Sequence, residues 1–88
     1  MANSKSALKR IRQNETRRQR NKSYRTRMRT QVRKLRAALV EGDTAQAQEL
    51  LAPTLVLIDK TAGKGIIHGN TAARYKSRLT RAVAAMAS

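Results

Sequence analysis

The chain has no cysteine, no tryptophan and no phenylalanine, and it has only one histidine and one proline. Without cysteine there can be no disulfide, no thiolate metal ligand and no thiol redox chemistry. His68 has no second histidine or cysteine to complete a zinc site, so we expect no metal and no cofactor. Tyr24 and Tyr75 are the only aromatic residues. Stacking of bases on aromatic side chains is therefore not expected to be the main mode of binding.

Long apolar runs are also missing. No stretch approaches the roughly 18 apolar residues of a membrane-spanning helix, and no apolar signal region follows the N-terminus. We therefore expect a cytoplasmic protein. Acidic residues are scarce, since 20 Lys and Arg stand against five Asp and Glu in 88 residues, giving a net charge of +15. A compact chain with this charge repels itself, and a polyanionic partner is the expected compensation.

The charge and the apolar residues occupy different parts of the chain. Residues 1–36 contain 14 Lys and Arg and a single acid, Glu15, whereas residues 37–88 contain six Lys and Arg and four acids. Between Ile11 and Met28 there is no aliphatic side chain. That basic stretch cannot contribute to a hydrophobic core.

Apolar residues repeat with the helical period in the second half of a first helix. The stripe consists of Tyr24, Met28, Val32, Leu35 and Leu39. The spacing of four, four, three and four places them on one face. Gly42 suits the left-handed C′ position that ends a helix, and Asp43 is a good N-cap with Gln46 three residues later. A tight turn between two helices is predicted here.

A second and a third amphipathic helix follow. Their stripes are Ala47, Leu51, Leu55, Ile58 and Ala62, and then Ala72, Tyr75, Leu79, Val83 and Met86. Pro53 lacks a backbone donor and predicts a kink in the second helix, with a break left open. The pair of glycines in Gly63–Gly65 ends that helix, and Asn70 is predicted to cap the third.

These patterns predict an all-α fold, a three-helix bundle with an elongated, protruding basic N-terminal helix. The helices are expected at about 5–41, 44–62 and 70–86 of one domain, 1–88. A continuous first helix spans about 54 Å at 1.5 Å per residue, so its basic half must project beyond the shorter helices.

The basic half carries charge around its whole circumference. Its cations include Arg12, Arg17, Arg18, Arg20, Lys22, Arg25, Arg27 and Arg29. Like charges four residues apart cost a few tenths of a kcal/mol each, and nothing packs against them. We predict that this segment is frayed when free and becomes ordered when it binds phosphates. A flexible basic tail with non-specific affinity is the alternative. Leu8 and Ile11 point away from the core stripe, as incidental exposed residues or as a small contact with RNA sugars or a neighbouring protein.

Structured RNA is favoured as the polyanion because it is recognised through shape, phosphates and 2′-hydroxyls. Cations together with Asn21, Ser23, Thr26 and Thr30 on a rod suit that mode. A nucleoid-type basic DNA-binding protein is the main alternative, although no minor-groove wedge or recognition helix is evident. A membrane-active helix is disfavoured because residues 12–27 lack an apolar face.

Catalysis has little support in the sequence. The five acids are scattered, and neither a nucleophile–base pair nor a small-molecule site can be argued from their positions. Lys64-Gly65 lacks the spacing of a phosphate-binding loop. His68 is expected to be a hydrogen-bonding or phosphate-contacting residue of a turn. We predict that the protein is not an enzyme.

Two segments, Ala2–Arg10 and Lys64–Leu79, together resemble the bacterial ribosomal protein S twenty family. Between them Arg29-Thr30, Arg33-Lys34 and Glu41-Gly42-Asp43 stand where that family has an Arg-Thr pair, a basic pair and a Gly-Asp turn. The resemblance implies a structural component of the small ribosomal subunit that binds 16S ribosomal RNA directly and stabilises its folding and assembly. It implies a place in a cytoplasmic bacterial ribosome or a plastid one, and no homo-oligomer is expected.

The resemblance also implies where RNA is bound. The family's contacts fall by position on Lys5, Ser6, Lys9, Arg10, Arg17, Arg18, Asn21, Ser23 and Arg27, and on Lys64, His68, Asn70, Arg74, Lys76, Ser77 and Arg78. We add nine residues to this predicted RNA-binding set because of their charge, their polarity or their place in the motifs: Arg12, Arg20, Lys22, Arg25, Arg29, Thr30, Arg33, Lys34 and Arg81. Gly69 and Ala84-Ala85 depart from the family's pattern. Gly69 puts one RNA contact in doubt and is expected to loosen the start of the third helix.

Overall fold

Three α-helices account for nearly all of the chain. The computed structural model describes residues 5–87, which form α1 (Lys5–Glu41), α2 (Thr44–Gly63) and α3 (Gly69–Ala87). No strand occurs among the described residues. The all-α, three-helix prediction is confirmed. Ala2, Asn3 and Ser4, part of the N-terminal segment of the resemblance, lie outside the described residues.

The turn between α1 and α2 is closed by backbone hydrogen bonds. Gly42 has φ +75°, its N–H donates to the Leu39 carbonyl at 3.2 Å, and the Asp43 N–H donates to the Ala38 carbonyl at 3.0 Å. This pair of bonds is a Schellman motif, which satisfies carbonyls left open at a helix end. The Asp43 carboxylate accepts from the Gln46 N–H at 3.1 Å. Both predicted roles, C′ for Gly42 and N-cap for Asp43, are confirmed.

The core lies along one side of each helix. Its buried apolar residues are Met28, Val32, Leu35, Ala38, Ala47, Ile58, Ile66, Ala72, Leu79 and Val83. Pro53 lies inside a continuous α2, so the helix does not break there. Two threonines that the apolar stripe left out are fully buried. Thr54 and Thr61 donate their hydroxyls to the carbonyls of Leu50 and Leu57, each at 2.7 Å, which removes the cost of burying them unbonded.

A second Schellman motif joins α2 to the chain that leads into α3. Gly65 has φ +75°, and its N–H donates to Ala62 at 2.9 Å while the N–H of the buried Ile66 donates to Thr61 at 3.1 Å. The prediction that Asn70 caps α3 is wrong. His68 precedes the helix, and its ring Nδ1 accepts from the Asn70 N–H at 3.1 Å. The N-cap acceptor of α3 is thus an imidazole nitrogen of His68 and not the side chain of Asn70.

The molecule is elongated, with Cα extents of 66 × 21 × 15 Å. α2 packs on both α1 and α3, while α1 and α3 touch each other little. The N-terminal half of α1, residues 5–23, hereafter the rod, projects from the bundle, and every residue from Leu8 to Arg20 is exposed. Leu8 and Ile11 are 45% and 63% exposed and stay out of the core, as predicted. None of the three helices is long and apolar enough to cross a membrane.

Candidate nucleic-acid interface

The rod presents cations on all sides. The eight cations that the rod contributes to the predicted RNA-binding set are all exposed: Lys5, Lys9, Arg10, Arg12, Arg17, Arg18, Arg20 and Lys22. Glu15 is the only acid in this half of the helix. The backbone of the rod is α-helical. In addition, the Thr16 hydroxyl donates to the Arg12 carbonyl one turn earlier, at 3.0 Å. A polyanion can therefore approach the rod from any direction.

Where the rod meets the bundle, the turn after α2 reaches it. Arg17, Arg20 and Asn21 line one concavity together with Lys64. We call these four residues the junction cluster. The three of them that lie on α1 continue the stripe of Met28 toward the N-terminus. The face of α1 that packs on α2 within the bundle therefore becomes cationic beyond it. The structure thus brings together two predicted sets of contacts that are about 45 residues apart in sequence.

Tyr24 marks this boundary. Its ring is partly buried, and the Lys64 Nζ lies 5.0 Å and the Arg27 Cζ 5.3 Å from the ring centroid. Cations at this distance are attracted by the π-face, by about 0.5–1 kcal/mol at exposed sites. The predicted core stripe is therefore less apolar at this end than expected. Tyr24 lies outside the core cluster and contacts cations of the interface.

A second cationic concavity lies between α1 and α3, where the two helices scarcely touch. Arg29, Val32, Arg33, Arg36 and Tyr75 line one part of it, and Arg36, Thr71, Arg74, Tyr75 and Arg78 line the adjoining part. We call the whole the arginine groove. None of its lining residues is acidic. Five arginines from two helices thus line the groove together with Tyr75.

Arg36 and Tyr75 link the two walls of the groove. The Arg36 Cζ lies 5.9 Å from the centroid of the Tyr75 ring, and Tyr75 packs against the core with its other atoms. Arginine suits such a place because its planar guanidinium can stack on a ring and still offer donors to a phosphate. The Tyr75 ring therefore already has a cation of the protein beside it.

Other predicted residues of α3 do not join the groove. Lys76 makes an ion pair with Asp59 on α2, Nζ to Oδ1 at 2.9 Å, with side chains 41% and 58% exposed. A pair so open to water contributes about 0–1 kcal/mol. Arg81 is exposed farther along α3. His68 and Asn70 are bonded to each other at the start of the helix.

On α1 the basic pair Arg33-Lys34 is divided. Neighbours on a helix are about 100° apart, so Arg33 faces the groove while Lys34 points elsewhere. The remaining predicted residues, Ser6, Ser23, Arg25, Arg27, Thr30 and Ser77, are distributed along the helices and line neither the junction cluster nor the groove.

Sequence reasoning missed two residues of the groove, Arg36 and Thr71. Arg36 follows Arg29 and Arg33 at spacings of four and three, a repeat that would have marked a cationic stripe on this side of α1. Thr71 precedes Tyr75 by one turn and carries no comparable signal.

Three groups that could serve acid–base chemistry have structural roles. Asp43 caps α2, Asp59 pairs with Lys76, and His68 caps α3. Within residues 5–87, no three side chains of the metal-binding types converge on one point.

The sequence is similar to known proteins along nearly its whole length. Residues 2–84 match the model of the family described as ribosomal protein S20. The chain is 52% identical over 88 residues to the small ribosomal subunit protein bS20 of Koribacter versatilis, covering 100% of this chain and 99% of the relative. It is 52% identical over 87 residues to that of Pseudoalteromonas atlantica, covering 99% and 100%. It is 51% identical over 83 residues to that of Geobacter metallireducens, covering 94% and 95%. With a match along nearly its entire length, this chain belongs to the ribosomal protein S20 family.

Proposed function

We propose that the protein is a structural component of the small ribosomal subunit that binds 16S ribosomal RNA directly and stabilises its folding and assembly. The observation that carries the proposal is the arginine groove, in which cations of two helices converge with no acid among the lining residues. Membership of the family, whose relatives are named as small ribosomal subunit proteins, supports the choice of partner.

The shape of the cationic surface supports folded RNA over other polyanions. The rod extends the surface beyond the bundle, within an overall length of 66 Å, so one molecule can contact phosphates of more than one RNA helix. Arg in a rigid groove suits bidentate contacts with phosphate oxygens. Both tyrosine rings already contact cations, which disfavours a single-strand mode based on stacking.

Competitive binding tests the proposal. The full chain is mixed with small-subunit ribosomal RNA, duplex DNA and anionic vesicles at about 0.2 M salt. At this concentration non-specific binding through a small number of phosphate contacts is weak. Preference for the ribosomal RNA is the expected result. Equal affinity for DNA and RNA would contradict the proposal and favour the nucleoid-type alternative. Binding should also fall on the order of a thousandfold or more between 50 and 200 mM salt if six to ten phosphates are contacted.

A variant of the groove tests whether this surface makes the contacts. Arg36→Gln should weaken binding to the ribosomal RNA by about tenfold, because it removes a charge-assisted contact and the cation that lies on the Tyr75 ring. Lys60→Gln is the matched control, since it removes the same charge from an exposed position of α2 outside the groove. Equal losses in the two variants would mean that net charge, and not the groove, determines the affinity.

We also propose that this role is not enzymatic and that the protein works in the ribosome, in the cytoplasm of a bacterium. The use of His68 and Asp43 as helix caps supports the first point. A plastid ribosome would give the same chemistry.

A further inference from the structure

We propose that the junction cluster is a phosphate site built jointly by the rod and the turn after α2, so that one bound phosphate couples the order of the rod to the folded bundle. The inference rests on the proposed function for the natural source of that phosphate, the RNA backbone. Its chemistry is the same for inorganic phosphate, which allows it to be tested without RNA.

The cluster has donors from two segments and no anion to balance them. Arg17, Arg20 and Lys64 bring three positive charges to one concavity, and no acid lines it. The C-terminus of α2 could have supplied carbonyl acceptors. However, the carbonyls of Lys60, Thr61 and Ala62 already accept from the N–H groups of the turn. Because no acid lines the concavity, an anion from outside the protein is the partner that would balance its three charges.

The backbone of Lys64 is fixed by the end of α2, and its ammonium group lies over the Tyr24 ring. It is the C-cap residue of α2, and its N–H donates to the Lys60 carbonyl at 3.1 Å. The Schellman motif at Gly65 fixes the direction in which the chain leaves, and the Nζ lies 5.0 Å from the centroid of the Tyr24 ring. A side chain whose backbone is fixed and whose ammonium group is attracted to a ring loses less conformational entropy on binding a ligand than one in a flexible loop.

The rod, by contrast, supplies donors that have no packing to hold them. Arg17 and Arg20 lie in the stretch in which every residue is exposed, and without an anion they repel Lys64. A phosphate that binds all three cations can do so only when the rod is helical as far as Arg17. Since a ligand stabilises the state that binds it, phosphate should raise the helicity of the rod.

The first experiment is an NMR titration of the full chain with inorganic phosphate, with chloride at equal ionic strength as the reference. The amides of residues 17–24 and 64–66 should shift along one common isotherm. Lys64→Gln should weaken that association by about tenfold, the contribution of one charge-assisted hydrogen bond. Lys60→Gln, the same charge removed one turn earlier, should change it by less than about twofold. Equal effects of the two variants, or shifts confined to one segment, would overturn the proposal.

A second pair of variants separates the ring from its hydroxyl. Tyr24→Phe keeps the π-face beside Lys64 and should bind phosphate as the natural chain does. Tyr24→Leu keeps an apolar side chain but loses the π-face, and it should weaken phosphate binding severalfold. If the two variants behave alike, Tyr24 does not position Lys64.

The RNA arm distinguishes this inference from the proposed function. Circular dichroism of the full chain with a small-subunit ribosomal RNA fragment should show a gain of helicity that is smaller in Lys64→Gln than in Lys60→Gln at saturation. An equal gain in both variants would overturn the coupling and leave RNA binding standing. A phosphate response that depends on Lys64, without preference for the ribosomal RNA, would support the site and contradict the proposed function.

Discussion

α1 runs through two regions that differ in what holds the helix. From Met28 to Ala38 a side chain is buried at every third or fourth position, whereas from Leu8 to Arg20 none is buried. Most helical stability in proteins comes from packing of an apolar face. The bundle half of α1 has that support, whereas the rod has no buried apolar face and its charges repel one another. One helix can therefore contain a stable half and a half whose order depends on a partner.

Hydrogen exchange should show the largest contrast between the two regions. In the free protein we expect rod amides to open with a free energy near zero. Core amides such as those of Leu35 and Ile58 should open only with global unfolding, typically about 5–15 kcal/mol. Saturating RNA should slow exchange in the rod. Slow exchange of rod amides in the absence of RNA would remove the distinction drawn between the halves.

Truncation of one leucine in each region comes next in expected size. Leu35 is fully buried, so Leu35→Ala should lower the free energy of unfolding in urea by about 2–5 kcal/mol through lost burial and the cavity left behind. Leu8→Ala is the matched control in the rod. Because Leu8 is 45% exposed and outside the core, its truncation should change stability by less than about 0.5 kcal/mol.

A pair of glycines at the end of α2 gives a smaller contrast within the bundle. Gly65→Ala should destabilise by about 1–2 kcal/mol because φ is +75° there, a conformation that disfavours a side chain. Gly63→Ala should instead stabilise by about 0.4–1 kcal/mol, since Gly63 is helical and its added Cβ meets nothing within 4 Å. Thermal unfolding of the two variants checks both signs. Destabilisation by both would point to a steric cause.

The cap of α3 should give the smallest of these effects. His68→Ala removes the acceptor of the Asn70 N–H and should cost about 1 kcal/mol in urea unfolding. His68→Asn loses the imidazole as well, but it keeps a side-chain oxygen that can cap the helix, so stability should be retained. Equal losses in the two variants would show that the imidazole contributes through packing and not through the cap.

Much of the bundle was predictable because local signals decide it. The stripe of Met28, Val32 and Leu35 and the turn at Gly42 and Asp43 follow from the helical period and from capping preferences. The burial of Thr54 and Thr61 was not predicted, because threonine is counted as polar when a stripe is read from the sequence. Its hydroxyl can nevertheless be buried when it donates to a carbonyl one turn back. His68 was not predicted as the N-cap of α3, because Asn is the more common residue at that position.

The interface was predictable as a set of charges but not as an arrangement. Arg74 and Arg78 were expected to bind RNA because the resemblance places family contacts at their positions. Their convergence with Arg36 depends on how far apart α1 and α3 lie, a distance that no local pattern reports. The approach of Lys64 to Tyr24 depends in the same way on where α2 ends along α1. Tertiary packing therefore creates the two concavities.

The way the helices are paired has a consequence for the order of events after synthesis. Each helix packs mainly on its neighbour in the chain, and the first and last helices touch little. Such local pairing corresponds to a low contact order, which in small helical bundles is associated with folding in microseconds to milliseconds. Synthesis at roughly 5–20 residues per second is far slower. We therefore expect the bundle to be folded as soon as the new chain leaves the ribosome that made it. Only the rod should then become ordered later, when RNA binds.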